Sequence, residues 1–396
     1  MNRSKIFRYS MFALLYFAQG AVLSYFTALN AIYLLSFGLS MSKIGIISGI
    51  ALTPFVLKIF LGMLSDRVNL FNFGHRKPYI VIGLLLQAIC LIFVPFIDPG
   101  KNFALYGLAA FMVMSGMALY DTSTDGLALD TTPKEEEGTI QGFMVGGRAM
   151  GVVVLSSLIG FLAQKVSWFA AFWILAFLTL VPLIMVFGYK EAPRPQEKKF
   201  EWSAFGAFKH WPIIALGLLG ALYSLIINGA NEIVNPFLQD GFSINVMTAG
   251  FFTTVWGIGV VMGSLTGGKL TDRIGQRRAV QSALLVSFVS IGALAFTVSA
   301  ALAWVLVFLF GLAYGYYETV YFAISMDKTD PRIAASMFAI LMAIANIGTG
   351  IGLPISGVLV DTIGYRWTFG VMAGLNLLAL PFIPAIFGKA KNHILR

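Results

Sequence analysis

Charged residues are scarce in this sequence. Asp, Glu, Lys and Arg together make up 11% of its 396 residues, whereas soluble domains contain about 25%. Hydrophobic residues make up 58%, and the mean hydropathy is +0.83. Because a soluble fold has no interior that could hide so much apolar surface, the composition excludes a soluble protein and predicts an all-α integral membrane protein.

Cysteine and histidine are also rare. The single cysteine, Cys90, lies in an apolar stretch, which excludes a disulfide within the chain and favours a small buried hydrophobic residue. The three histidines, His75, His210 and His393, follow no zinc-type spacing with cysteine, and the sequence contains no P-loop. We therefore expect no metal, no cofactor, no enzymatic activity and no hydrolysis of ATP.

Apolar stretches of 20 or so residues recur along the whole chain. A hydrocarbon layer about 30 Å thick requires helices of this length. The sequence therefore predicts twelve transmembrane helices, called spans 1 to 12 below. Their approximate limits are 9–36, 42–64, 79–97, 103–128, 139–163, 167–188, 212–238, 245–268, 279–299, 302–326, 333–359 and 366–387.

The basic residues indicate orientation rather than a nucleic-acid partner. The net charge is +9, but nearly all Lys and Arg outside the spans fall on the side of the N-terminus, as the positive-inside rule requires of cytoplasmic loops. Those on the other side are Lys43, Lys101, Lys165 and Arg366. We expect both termini in the cytoplasm, and a monomer in the lipid bilayer of a bacterial inner (plasma) membrane.

The chain divides near its midpoint. The polar stretch 190–199 contains two prolines and separates the apolar spans. It predicts a cytoplasmic linker, residues 189–210, between an N-terminal six-helix bundle, residues 1–188, and a C-terminal six-helix bundle, residues 211–396.

Internal similarity supports two pseudo-repeats. The segment Tyr120-Asp121-Thr122, followed by Asp130, aligns at one constant offset with Tyr317-Glu318-Thr319, followed by Asp327. Parallel repeats of this kind predict that the two halves rock about a central cavity.

A second repeated element follows spans 2 and 8. Residues 62–77 and 268–278 share the pattern G-x-x-x-D-R with later glycine and basic residues. This pattern resembles the signature loop of the major facilitator superfamily, and the resemblance in topology covers the whole chain. We predict that these residues gate access between the halves; the alternative is that they only anchor helix ends. The predicted gating residues are Gly62, Asp66, Arg67, Arg76, Lys77, Asp272, Arg273, Arg277 and Arg278.

A narrower resemblance concerns the substrate. Residues 53–66, 73–80 and 121–130 are similar to the branch that holds folate-biopterin transporters, muropeptide permeases and acetyl-coenzyme A transporters. Light-harvesting assembly proteins carry a comparable G-x-R-x-P-Y-I stretch. The resemblance implies a polar or anionic organic solute and leaves a non-transporting pigment or assembly factor open.

Ionisable residues inside the spans are candidates for coupling. Each costs about 2.5–3.5 kcal/mol at a helix centre on insertion scales, so such residues face a cavity or a partner. Asp121 and Asp125 are four residues apart and share a helix face, so one of them could hold a proton. A purely structural ion-pair cluster is the alternative. The predicted charge network is Lys58, Asp121, Asp125, Arg148 and Glu318.

Polar residues in spans 1, 7 and 10 are candidates for solute binding. Span 7 contains the polar run 228–236, and span 1 is polar at the corresponding place. Span 10 carries tyrosines at helical spacing that predict a face for stacking a ring, with core packing as the alternative. The predicted binding residues are Gln19, Tyr25, Asn30, Asn228, Asn231, Glu232, Tyr314, Tyr317 and Tyr321.

These features predict a secondary active transporter that works by alternating access. Its expected partners are a small polar or anionic solute and a proton, taken up together. The alternatives are a multidrug or metabolite efflux pump of the same fold and the assembly factor named above. The first half would supply the charge-coupling side of the cavity and the second half the recognition side.

Overall fold

The molecule is built from α-helices. The computed structural model describes residues 3–70, 74–132, 137–189, 206, 208–328 and 334–388. In chain order the helices are α1 (Arg3–Ser24), α2 (Asn30–Leu35), α3 (Met41–Val56), α4 (Lys58–Arg67), α5 (Lys77–Phe93), α6 (Phe103–Thr131), α7 (Glu137–Lys165), α8 (Trp168–Leu180), α9 (Leu183–Gly188), α10 (Trp211–Phe242), α11 (Val246–Ile274), α12 (Gln276–Ala295), α13 (Ala300–Asp327), α14 (Ala334–Leu375) and α15 (Phe382–Phe387).

The helices have the length and composition of membrane spans. Among the described residues, ten helical segments are long and apolar enough to cross a membrane, and Met41–Val56 is a shorter apolar helix. The last of the ten, Met337–Phe387, contains Gly364 at φ 80°, a left-handed conformation that breaks the helix and favours glycine. The chain therefore has about ten to twelve apolar helices. Most of the predicted linker lies outside the described residues.

Two predicted spans are not continuous α-helices. Span 1 consists of α1, a five-residue π-helix at Tyr25–Leu29, and α2. Span 2 is divided at Leu57 between α3 and α4. Pro54 lies one turn before that division, and its ring and missing N–H weaken the helix there.

Four helix starts carry side-chain caps. The N-cap residues Ser40, Ser167, Asn245 and Ser299 each accept a hydrogen bond from the backbone N–H three residues later. Such a cap satisfies a backbone donor that the helix itself leaves unpaired. All four helices begin at the end of the molecule remote from the N-terminus, and in each of them a capping side chain fixes the first residue of the helix.

Glycines let helices pack at backbone distance. Gly348 on α14 faces the carbonyl of Ala221 on α10, and a Cβ there would overlap with that oxygen. Gly350 lies half a turn away and would find nothing within 4 Å of a Cβ.

Gly348→Ala should lower the free energy of unfolding by about 1–3 kcal/mol, because the added methyl must push α10 away. Gly350→Ala is the matched control and should be neutral or stabilising by up to about 1 kcal/mol, since alanine is the better helix former. Unfolding of both variants in detergent measures the difference. Equal stability of the two variants would contradict the close approach of α10 and α14.

Candidate functional site

A buried carboxylate lies where the two halves of the chain meet. Glu232 of α10 is 6% exposed, and its Oε1 accepts a hydrogen bond from Ser48 Oγ of α3 at 2.5 Å. No described Lys or Arg forms an ion pair with Glu232. The hydroxyl of one half therefore holds the carboxylate of the other, without a neutralising cation among the described residues.

A chain of hydrogen bonds extends from this carboxylate into the first half. Asn30 Nδ2 donates to Ser48 Oγ at 3.1 Å, and Tyr25 Oη donates to Asn30 Oδ1 at 3.2 Å. Tyr25 Oη also lies 2.9 Å from Tyr106 Oη. Since Ser48 has one proton, its donation to Glu232 leaves its lone pairs for Asn30, so each link agrees with the next. The sequence predicted Tyr25, Asn30 and Glu232.

Ser48 and Tyr106 were missed. Each is a single polar group within an apolar stretch of its helix, and such residues give no signal until their partners are known. Both are buried, and each contacts a residue that the sequence did single out.

The π-helix brings a second contact across the halves. Asn30 N–H donates to Tyr25 O, five residues back, which is the π-helical pattern. Within this turn, the carbonyl of Thr27 accepts a hydrogen bond from Asn231 Nδ2 of α10 at 2.9 Å. π-turns inside α-helices are frequent at functional sites. Here the irregular turn lies at the contact between spans 1 and 7.

Aromatic rings surround Tyr25. Its ring centroid is 4.8 Å from that of Phe172 and 6.3 Å from those of Tyr33 and Trp168, all in edge-to-face arrangements. These contacts leave the Tyr25 ring little freedom to rotate. The hydroxyl is therefore held in position for Asn30.

Asn228 joins three helices of the second half. Tyr314 Oη of α13 donates to Asn228 Oδ1 at 2.9 Å, and Asn228 Nδ2 donates to Thr349 Oγ1 of α14 at 3.1 Å. Trp256 stands edge-on to the Tyr314 ring at 5.2 Å. Asn228 and Tyr314, both predicted from the sequence, thus lie together.

The other predicted tyrosines lie elsewhere. Tyr317 and Tyr321 are buried against Tyr223 of α10, with ring centroids 4.6 and 5.5 Å from its ring. Tyr321 Oη donates to the carbonyl of Leu341. They are one and two turns further along α13, where α10 and α14 cover that face. The tyrosines of α13 therefore do not form one continuous face: Tyr314 contacts Asn228, whereas Tyr317 and Tyr321 pack in the core against Tyr223.

Gln19 is buried on α1, and its Oε1 has no hydrogen-bond partner among the described residues. It is not part of the hydrogen-bonded chain that contains Tyr25 and Asn30.

The predicted lysine and aspartates meet in one cluster. Lys58 Nζ, at the start of α4, is 2.5 Å from Asp121 Oδ2 and 3.0 Å from Asp125 Oδ2 on α6. Tyr16 Oη of α1 donates to Asp125. Asp121 is 4% exposed, while the Asp125 side chain is 38% exposed. One cation thus holds two carboxylates that share a helix face.

Arg148 and Glu318 belong to the same electrostatic neighbourhood without an ion pair. Arg148 of α7 is half-buried, and its charge acts on Asp121 and on Glu318 of α13. It forms no ion pair with a described carboxylate, whereas Lys58, the other cation of the predicted network, pairs with both Asp121 and Asp125. A cation of the first half and an anion of the second therefore interact electrostatically, without an ion pair among the described residues.

Among the described residues, the contacts of the predicted gating residues Arg76 and Lys77 lie within the first half. Arg76 Nε is 3.2 Å from Asp130 Oδ2, and Arg76 Nη1 donates to Ser65 Oγ. Lys77 Nζ donates to the carbonyls of Phe187 and Tyr189 at 3.0 Å. The described part of the chain shows no bridge between the halves from these residues. Arg273, Arg277 and Arg278 are exposed, and the side chains of Gly62, Asp66, Arg67 and Asp272 lie outside the described residues.

The apolar helices and the buried polar centre between two halves define a multi-pass membrane protein of the transporter class. The chain belongs to the Major Facilitator Superfamily, whose family model matches residues 12–230 and 216–393. The predicted family is therefore confirmed.

Curated relatives are transporters rather than enzymes. The anhydromuropeptide permease of Escherichia coli (strain K12) is 25% identical over 94% of this chain and 79% of its own length. The folate-biopterin transporter of Synechocystis is 27% identical over 43% of this chain and 34% of its own length. The sialic acid transporter NanX of E. coli is 25% identical over 58% of this chain and 56% of its own length.

Solved structures show the same fold. The nucleoside transporter NupG has a TM-score of 0.80 at 15% identity and covers 98% of this chain and 100% of its own. A bacterial homologue of the human lysosomal transporter Spinster, in an inward-facing and unoccupied conformation, has a TM-score of 0.78 at 17% identity and covers 96% of this chain and 95% of its own.

Proposed function

We propose that this protein is a secondary active transporter that takes up a polar or anionic organic solute together with a proton, by alternating access. The observation that carries the proposal is Glu232, a buried carboxylate at the contact between the halves, held by Ser48 of the other half. A buried ionisable group between two moving bodies can bind a proton in one arrangement and release it in the other.

The proposed topology has twelve spans in two six-helix halves, with both termini in the cytoplasm and the linker at 189–210. The interruption at Gly364 would be the short turn between spans 11 and 12, and α3 with α4 would form span 2. The excess of basic residues on the side of the N-terminus supports this orientation. We propose a monomer in a bacterial inner membrane.

Contacts between the halves support an inward-facing state. α3 packs on α14 and α7 packs on α11. The close approaches involve Gly45 with Leu353 and Gly250 with Ser156, towards the end of the molecule remote from the N-terminus. The Lys58 cluster lies towards the opposite end. In this interpretation the outer side is closed in the structure and the cytoplasmic side is open.

An acidic solute fits the unpaired charges at the centre. The charge of Arg148 in one half acts on Glu318 of the other, without an ion pair among the described residues. A carboxylate on the solute would pair with Arg148. The similarity to an anhydromuropeptide permease, a folate-biopterin transporter and a sialic acid transporter supports such a solute, because anhydromuropeptides, folate and sialic acid carry carboxyl groups.

Uptake by purified protein in liposomes tests this proposal. An anhydromuropeptide, folate and sialic acid are offered under an imposed pH gradient, with a neutral nucleoside and xylose for comparison. We expect at least one acidic solute to accumulate. For that solute, Arg148→Met should weaken apparent affinity by about 10- to 100-fold, because a charge-assisted hydrogen bond contributes about 1.5–3 kcal/mol.

The matched control is Lys165→Met, which removes an exposed cation at the end of α7, the helix that carries Arg148. It should change the affinity less than about twofold. Uptake of the neutral solutes alone, or an equal effect of the two substitutions, would contradict an acidic solute at Arg148.

A further inference from the structure

Two helix crossings close the outer side, and they are built alike. In the first crossing, a Cβ at Gly45 of α3 would overlap with the carbonyl of Leu353 on α14, and one at Gly357 would overlap with the carbonyl of Met41. Each helix therefore places its backbone directly against the other. No side chain at either glycine could be accommodated without separating the halves.

The second crossing repeats this pattern between α11 and α7. A Cβ at Gly250 would overlap with the carbonyl of Ser156, and one at Gly160 would lie 2.8 Å from the carbonyl of Val246. Gly357 and Leu353 of α14 follow Gly160 and Ser156 of α7 by the same number of residues that separates Tyr317 from Tyr120. Gly250 and Val246 of α11 likewise follow Gly45 and Met41 of α3 by one common number of residues. The closure therefore has the two-fold symmetry of the repeat.

Each crossing ends in a cap supplied by the opposite half. Asp361 Oδ1 of α14 accepts a hydrogen bond from Met41 N at 3.0 Å, and Oδ2 accepts one from Ser42 N at 2.8 Å. Gln164 Oε1 of α7 accepts one from Val246 N at 3.3 Å. Asp361 and Gln164 are again related by the repeat offset.

The caps of each helix are divided between the halves. The third N–H of α3, that of Lys43, is capped by Ser40, and the third N–H of α11, that of Thr248, is capped by Asn245. These caps come from the same half as the helix. The N–H groups of Met41 and Ser42 depend on Asp361, and that of Val246 depends on Gln164. Opening the outer side must leave them without these partners.

We propose that Asp361 and Gln164 are positioning residues that hold the outer side closed by capping, across the interface, the first turns of α3 and α11. The two caps are unequal. Asp361 has a negative charge at the positive end of a helix and two N–H partners, whereas Gln164 is neutral and has one. Asp361 therefore holds its crossing more strongly. The inference rests on the alternating access of the proposed function.

Distances between spin labels on the two halves test this inference. Lys101→Cys and Val298→Cys, both exposed positions between helices on the outer side of the structure, are labelled in a Cys90→Ala background and measured by pulsed electron resonance. Asp361→Ala should raise the ratio of the long to the short distance about fivefold, as expected for loss of a typical N-cap. Asp361→Asn should raise it only about twofold, because asparagine also caps well.

Gln164→Glu should have the opposite effect. It keeps the length of the side chain and adds a charge at the start of α11, so the long distance should become rarer by about twofold. This variant gains an interaction, and its result does not depend on a loss of folding.

Ser299→Ala is the matched control, since Ser299 caps α13 within one half. It should lower thermal stability and leave the distance ratio unchanged. If both distances occur but Asp361→Ala resembles Ser299→Ala, the positioning role is wrong while alternating access stands. A single distance in every variant would overturn alternating access itself. Neither result requires a solute or a pH gradient.

Discussion

Glu232→Gln is expected to abolish accumulation of the solute in response to a pH gradient. Uptake of one proton with each solute would support about tenfold accumulation per pH unit, because one unit corresponds to about 1.4 kcal/mol. The variant should only equilibrate the solute, at a ratio of about one. Glutamine preserves the size of the side chain and the acceptor for Ser48, but it cannot bind and release a proton.

The measurement is the steady-state ratio of solute inside and outside liposomes at gradients of zero, one and two pH units. Asp240→Asn is the matched control, because Asp240 lies on the same helix, is exposed, and accepts a hydrogen bond from Tyr365 Oη. It should accumulate the solute as the wild type does. Tenfold accumulation by Glu232→Gln would contradict a coupling role for Glu232 and would indicate another carboxylate, with Asp121 and Glu318 as the candidates.

Much of the site could be predicted because charge inside a membrane is costly. Lys58, Asp121 and Glu232 interrupt apolar spans, so each needs a partner or a cavity. The structure places all three at buried contacts between helices. The orientation in the membrane could also be proposed from the sequence, because the Lys and Arg residues outside the spans are concentrated on the side of the N-terminus.

Contacts between distant helices could not be predicted. Ser48 meets Glu232, 184 residues later in the chain, and the packing of both α3 and α10 against α14 brings them together. The π-turn at Tyr25–Leu29 was also missed, since its sequence differs little from that of a regular helix. Tyr317 and Tyr321 were assigned to the cavity because periodicity identifies a shared face, whereas the neighbouring helices decide what covers it.

The capping residues of the outer side are equivalent in the two repeats, but the sequence alone does not reveal this equivalence. Asp361 and Gln164 occupy equivalent positions in the two repeats, and Ser40 and Asn245 begin equivalent helices. The offset between equivalent residues differs from one helix pair to another. Only the structure shows which residues of the repeats meet, and hence that a carboxylate in one half corresponds to an amide in the other.

Lys58→Met should lower the free energy of unfolding by about 3 kcal/mol. Removing one member of a buried ion pair typically costs 3–5 kcal/mol, because the remaining charge stays buried without compensation. Here the remaining charge is Asp121, which is 4% exposed. The lower end of the range applies because the Lys58 side chain is itself 30% exposed. Unfolding in mixed micelles with increasing SDS fraction measures the loss.

The double variant Lys58→Met with Asp121→Asn separates structure from coupling. It leaves no unpaired charge at the buried Asp121 site, so most of the lost stability should return. Asp125→Asn alone is the matched control and should cost less than about 1 kcal/mol, since Asp125 is partly exposed and Lys58 keeps Asp121. If the double variant regains stability and also accumulates solute with the pH gradient, the cluster serves structure only. If it regains stability without accumulation, Lys58 and Asp121 belong to the coupling network.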